Sequence, residues 1–150
     1  MELNLPAIKV DVIKDGDIVK IYDRLRRKHV ALTPEEWVRQ HFVEYLISEK
    51  GFPESRMANE VGLKLNGTMR RVDTLVCDEY AQPLVIVEYK NEDVVITQQV
   101  FDQIVMYNMV LQARYLIVSN GKTHYCCEIN LESHSYKFLP EIPNYKELKK

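Results

Sequence analysis

The chain has 150 residues, with 20 Lys plus Arg against 22 Asp plus Glu, a formal net charge of −2, and 46% hydrophobic and 28% charged residues. This is the composition of one globular domain that can bury a core without disulfides or a structural metal, and its charge argues against a polybasic DNA coater while leaving room for a local phosphate site. No apolar run of about 18 residues marks a membrane span, residues 1–11 lack a secretory pattern, and three cysteines, two of them adjacent (Cys126 and Cys127), suggest a reducing cytoplasm.

In chain order, Ile8 to Tyr22 reads as a β-hairpin, with two β-rich runs flanking the turn pair Asp15-Gly16. Arg24, Arg26, Arg27 and Lys28 form a basic segment, read either as a solvated loop or as a phosphate contact. Thr33-Pro34-Glu35-Glu36 opens a helix, with an N-cap threonine, a proline at the first position and a glutamate three residues after the cap. Glu36, Gln40 and Glu44 make a polar stripe on it, and Gly51-Phe52-Pro53 ends it. Residues 57–90 predict a three-stranded meander: Met57 to Leu65, a turn at Asn66-Gly67, Thr68 to Asp78, then the apolar strand Leu84 to Lys90. A second helix spans Thr97 to Ala113, followed by strands at Tyr115 to Val118, Thr123 to Ile129 and Ser135 to Leu139. The tail from Pro140 is polar and is expected on the surface. The order predicts an α/β fold, a mixed β-sheet flanked by helices with an N-terminal β-hairpin, and a parallel strand–helix–strand crossover at residues 84–118. The domain is expected as one unit: residues 1–32 the hairpin and basic segment, 33–139 the core and 140–150 the tail.

The chemistry centres on Asp73 in the second meander strand and on Glu88 and Lys90 in the third. Residues two apart on a strand share a face, so Glu88 and Lys90 project together while Tyr89 points away. Two carboxylates can hold a hard divalent cation through oxygen. A lysine beside them can orient a water and offset phosphate charge, which is the equipment of metal-assisted phosphodiester hydrolysis. The alternative is an ordinary ion pair at a strand end. On the second helix Gln99, Gln103 and Tyr107 fall on one face, either looking into the same cleft or facing solvent.

Asp73, Glu88-Tyr89-Lys90 and Gln103-x-x-x-Tyr107 together resemble the PD-(D/E)XK motif of the restriction-endonuclease-like superfamily. The runs Arg26-Arg27-Lys28, Thr33 to Gln40, Arg70 to Asp73 and Ser119-Asn120-Gly121 are similar to the N-terminal nuclease domain of type I restriction enzyme R subunits, over roughly residues 22 to 127. The resemblance implies a DNA-cleaving domain that uses Mg²⁺ (or Mn²⁺). Asp73 and Glu88 would be the metal ligands, with the main-chain carbonyl of Tyr89 as a further oxygen, and Lys90 the catalytic lysine. Gln103 and Tyr107 would position nucleic acid or support the site. Glu36 matches an extra acidic residue that many members carry, and Glu60 is a further candidate for the metal shell. DNA contacts are expected from Arg26, Arg27, Lys28, Arg39, Arg70 and Arg71. Partners would be DNA and the other subunits of a restriction-type system, with a homodimer open. The motif's proline is replaced by Val72, and the 150 residues contain no helicase motor of the kind R subunits carry. Without cleavage, the same fold would serve as a DNA- or protein-binding module.

Gly121-Lys122-Thr123 looks like the end of a P-loop. Leu116 stands where its first glycine is needed and a strand-like stretch follows, so nucleotide triphosphate binding is rejected. His124 and Cys126 flank Tyr125 and are read as strand alternation rather than a zinc pair. Trp37 and Cys77 are read as packing residues.

Overall fold

The computed structural model describes residues 2–65, 67–109 and 111–149, the side chains of Leu65, Thr68 and Tyr107 excepted. The N-terminal sheet has three antiparallel strands, β1 (Val12–Asp15), β2 (Ile18–Asp23) and β3 (Lys28–Ala31). Asp15 pairs with Ile18, so the turn residues are Gly16 and Asp17 rather than Asp15 and Gly16, and Gly16 takes the positive φ of 62°. The basic segment is not an open loop: Asp23 accepts the backbone N–H groups of Leu25 (2.7 Å) and Arg26 (3.0 Å), closing a turn that feeds Lys28 into β3.

Helix α1 (Pro34–Lys50) starts and stops where its caps predict. Thr33 Oγ1 accepts the Glu36 N–H at 3.0 Å, and Gly51 ends the helix with φ 70°. The side chain of Glu36 does not fold back onto the cap; its carboxylate is turned to Arg26, Arg39 and Gln40.

The central sheet runs in the order β4 (Met57–Leu65), β5 (Thr68–Cys77), β6 (Pro83–Tyr89), β7 (Tyr115–Ser119), β8 (His124–Asn130), β9 (Ser135–Leu139). Only the β6–β7 pair is parallel, joined through α2 (Gln98–Met109) as the crossover predicts. The helix ends four residues earlier than its apolar pattern suggests, since two successive turns and Gln112, with φ 58°, redirect the chain toward β7. The hairpin turn expected at Asn66-Gly67 includes Asn66, which lies outside the described residues.

Each face of the sheet carries its own core. Val85, Val87 and Tyr89 pack with Val38, Phe42 and Leu46 of α1; Ile86, Leu116 and Val118 pack with Phe101 and Val105 of α2. Two covered faces explain why β6 is an almost unbroken apolar run. They also send Glu88, two residues after Ile86, to the α2 side and Tyr89 to the α1 side.

The tail is a correction. Ile142, Tyr145 and Leu148 are buried in the α1-side core, with Tyr145 Oη bonded to the Cys77 carbonyl at 3.0 Å. Three apolar residues at a spacing of three lock the segment down, and its polar composition hides them. At the β7–β8 turn, Gly121 has φ 88° and a Cβ there would lie 2.7 Å from Leu3 Cδ2, so only glycine lets the N-terminal segment pass. The Gly121-Lys122-Thr123 fragment belongs to this hairpin turn.

Candidate metal centre

β5 and β6 pair antiparallel, with Thr74 opposite Val87, so Asp73 and Glu88 meet at the end of the ladder. Asp73 Oδ2 accepts the Tyr89 N–H at 2.9 Å, which pins its carboxylate beside the backbone that carries Glu88. By that register the two side chains share one face of the sheet, where the charge of Asp73 bears on Glu88. Burial and the negative charge of Asp73 push the Glu88 carboxyl up to about 9, only partly offset by the charge of Lys90. A second oxygen acid held this close to Asp73 calls for either a proton or a cation between them. Lys90 follows the last residue of β6; its main-chain N–H donates to the Ser119 carbonyl at 2.8 Å, anchoring it at the same end of the strands.

A buried ion-pair network backs the carboxyl pair. Arg39 is 6% exposed; its Nε and Nη2 donate to both oxygens of Glu36 at 2.9 and 2.8 Å, Nη2 also to Glu60 at 2.9 Å, and Nη1 to the main-chain carbonyl of Asp73 at 2.8 Å. Its guanidinium also lies 5.9 Å from the centre of the Tyr89 ring. Glu36 takes further bonds from Arg26 at 2.7 Å and Gln40 at 2.8 Å. Burial works against the Glu36 charge, but Arg39, Gln40 and Arg26 outweigh it and hold the carboxyl below its ordinary range. Asp23, fully buried, is likewise held low: desolvation opposes its charge, and bonds from the Arg26 backbone, Asn59 and the Arg26 side chain win. From Asp23 a chain of hydrogen bonds runs through Asn59 and Thr74 to the Tyr89 hydroxyl.

Glu60 stands opposite Asp73 on β4, at the position the ladder skips between Asn59–Thr74 and Val61–Val72. Its φ of 57° is a left-handed conformation that a non-glycine strand residue rarely adopts. This kink turns its carboxylate toward Arg39 and, at 3.8 Å, Arg71. Thr33, Glu35, Glu36, Arg39, Glu60, Asp73 and Tyr89 share the walls of a cleft of about 430 Å³.

The expected site residues thus separate into groups. Asp73, Glu88 and the Tyr89 backbone come together, with Lys90 beside them. Among the described residues no three His, Cys, Asp or Glu side chains converge on one point, and the carboxylates of Glu36 and Glu60 are bound to Arg39. Arg39 is a correction: a guanidinium this buried, donating to Glu36, Glu60 and the Asp73 carbonyl, is built into the interior rather than presented to a polynucleotide. Arg26 is half-buried and paired with Asp23 and Glu36. Arg27, Lys28 and Arg71 are exposed and Arg70 is half-buried. Gln103 is exposed, and the Tyr107 side chain lies outside the described residues. His124 bonds Ser119 Oγ (2.7 Å) and the Asn4 carbonyl (2.9 Å), a structural role. Sequence reasoning missed Asn108, a polar residue 1% exposed on α2, whose amide donates to the Ile104 carbonyl at 3.0 Å. Its one signal was its place four residues after Ile104 on the apolar face.

The fold is α/β: a six-stranded mixed sheet with one parallel crossover and two helices, with Asp73 and Glu88 side by side where the β5–β6 ladder ends. The family model described as "Type I restriction enzyme R protein N terminus" matches residues 34–143, and the chain belongs to that family. Among solved structures it is similar to a fragment described as an HsdR subunit of a type I restriction enzyme from Vibrio vulnificus YJ016, with a TM-score of 0.54 and 19% identity, which shows the shared fold. That match covers 77% of this chain and 24% of the Vibrio chain, so the present chain spans only a fraction of its structural relative. No curated protein matches significantly.

Proposed function

We propose that this domain is a Mg²⁺- (or Mn²⁺-) dependent deoxyribonuclease of PD-(D/E)XK type. The observation that carries the reading is the side-by-side placing of the Asp73 and Glu88 carboxyls where the β5–β6 ladder ends, which raises the Glu88 proton affinity and suits a hard cation. Asp73, Glu88 and the Tyr89 carbonyl would hold the ion. When bound, it supplies Lewis-acid polarisation of a phosphoryl oxygen and a more acidic water. The Tyr89 N–H fixes the Asp73 carboxylate, and Arg39 fixes the Asp73 main chain from behind. Lys90 contributes a positive charge beside Glu88, to orient a water and offset charge on the phosphate. Glu36 and Glu60 act through Arg39, and Gln103 and Tyr107 would position nucleic acid or support the site. Arg27, Lys28, Arg70 and Arg71 would contact phosphates, with Arg26 at the cleft wall. Family membership supports DNA and the subunits of a restriction-type system as partners, in the cytoplasm.

The test is metal-dependent cleavage of single- and double-stranded DNA by the wild type and by Asp73→Ala, Glu88→Ala and Lys90→Ala. Loss of cleavage by at least about a hundredfold in each supports the assignment. Equal trace activity in all four proteins refutes it.

A second reading is a DNA- or protein-binding module without turnover. The internal pairing of Arg24, Arg26 and Arg39 favours it, because it withdraws cations from a chain of net charge −2. Salt-dependent DNA binding without metal-dependent cleavage would select it.

A further inference from the structure

We infer that Met69 is an apolar wedge for DNA: from the open face of the β4–β5 ribbon its side chain enters a base step that has lost its stacking, while Lys64 and Arg71 hold the flanking phosphates. The inference rests on DNA as the partner in the reading above and adds to it the form of DNA preferred.

The ribbon turns its faces over at Glu60 and Asp73, the position the ladder skips. Before it, Asn59 and Thr74 bond each other and Thr74 reaches Tyr89 on the α1 side; beyond it, Val61, Leu63 and Val72 pack with the α2-side core. Strand alternation then sends Gly62, Lys64, Met69 and Arg71 to the opposite face, and all four are exposed. Lys64 pairs directly with Met69 and Gly62 with Arg71, so they form one patch that continues from the Asp73 site. Met69 is 68% exposed. Its Cε lies 3.1 Å from where a Cβ on Gly62 would stand, so the glycine keeps the floor of the patch bare and the flexible thioether unhindered. Residues 61–72 carry Lys64, Arg70 and Arg71 and no Asp or Glu, in a chain of net charge −2. Glu60 lies 3.8 Å from Arg71, whose side chain is nonetheless 73% exposed. An apolar tip between two cations matches a polymer with apolar bases between phosphates. A second copy of the chain would instead set Lys64 and Arg71 against their own kind. At about 3.3 Å per residue, Met69 stands about 13 Å along β5 from Asp73, roughly four base steps of a duplex. A wedge of this kind works by unstacking, which costs least where bases are already mismatched.

The experiment titrates the whole chain, in EDTA, against a fluorescent DNA duplex and against the same duplex with one mismatch, reading anisotropy at several salt concentrations. The variants are Met69→Ala, Met69→Leu, Lys64→Gln and Arg71→Gln, all at exposed positions and all expected to keep the wild-type Tm. The wild type should bind the mismatched duplex about fivefold more tightly or better. Met69→Ala should lose that preference, with affinity for the mismatched duplex down about tenfold and the salt slope unchanged. Met69→Leu should restore the preference. Each cation variant should keep it and lower the salt slope by about 1. Equal wild-type affinity for the two duplexes, a wild-type preference in Met69→Ala, or no DNA binding at all overturns the inference. So does a wild-type dimer in sedimentation that Met69→Ala dissolves, which would make the patch a contact between copies. Cleavage of the same duplexes in Mg²⁺ judges the nuclease reading separately. Cleavage without the preference leaves that reading standing and the wedge refuted; the preference without cleavage leaves the wedge standing and selects the binding module.

Discussion

Glu36 and Glu128 are both carboxylates ringed by cations, and they lie toward opposite ends of the domain. Glu36, by the Asp73 end of β5, is 5% exposed and accepts bonds of 2.7 to 2.9 Å from Arg26, Arg39 and Gln40. Glu128, in β8 opposite Tyr115, has Arg114, Lys137 and Lys149 at 3.7 to 3.9 Å, all on exposed stems. In the first cluster every donor has a fixed direction and Glu36 and Arg39 are nearly shut off from water, so removing one member leaves a buried charge short of a partner. In the second, solvent screens each contact and replaces any that is lost. The sign and number of the charges are similar; burial decides which cluster holds a shape. The shape held by the first is that of the Asp73 backbone.

The contrast is broken or sharpened by four measurements. Arg39→Met should lower stability in urea by about 3–5 kcal/mol, because Glu36 stays buried and the Asp73 carbonyl loses its donor; a loss below about 1 kcal/mol would make the two clusters equivalent. Next in size is metal linkage at the Asp73–Glu88 pair. Saturating Mn²⁺ at about 100 times Kd should stabilise the wild type by about 2.7 kcal/mol and Glu88→Gln by almost nothing, read as a shift in Tm.

The pH dependence should show two opposite slopes. Asp23 and Glu36 have folded values below their ordinary 3.8 and 4.5, so the unfolded chain takes up protons first as the pH falls. Their stabilisation is present in full above those ordinary values and is lost as the pH drops through the lowered ones. Urea midpoints at pH 5 and pH 3 should differ clearly in the wild type and less in Glu36→Gln. Glu88 runs the other way. Its folded value is raised from 4.5 to about 9, so the folded state keeps a proton that the unfolded state releases. Metal-free stability should therefore decline between those two values, and Glu88→Gln should remove that decline. The smallest effect belongs to Lys137→Ala in the exposed cluster, within about 1 kcal/mol and further reduced by salt.

Much of this architecture could be read from local signals. The cap at Thr33 and the stop at Gly51 bound α1 because their hydrogen-bond chemistry is complete within a few residues. The apolar run of β6, the helix after it and the strand after that predict the parallel crossover that the structure contains. The spacing of Glu88, Tyr89 and Lys90 predicts which side chains share a face, and Tyr89 does point away from Glu88 into the α1-side core. Other features had no local signal. The third strand of the N-terminal sheet lay under a run of basic residues, and the docking of Ile142, Tyr145 and Leu148 under a polar tail.

The amino-acid order alone determined the element types, their succession and the placing of Asp73 on β5, Glu88 on β6 and Lys90 just after it, because strand alternation, helix period and capping act over a few positions. Only the tertiary structure decided that Arg39 faces inward and that Glu60 kinks toward it opposite Asp73. Those outcomes depend on which charges lose their water together, and desolvation is a property of the packed domain rather than of any segment.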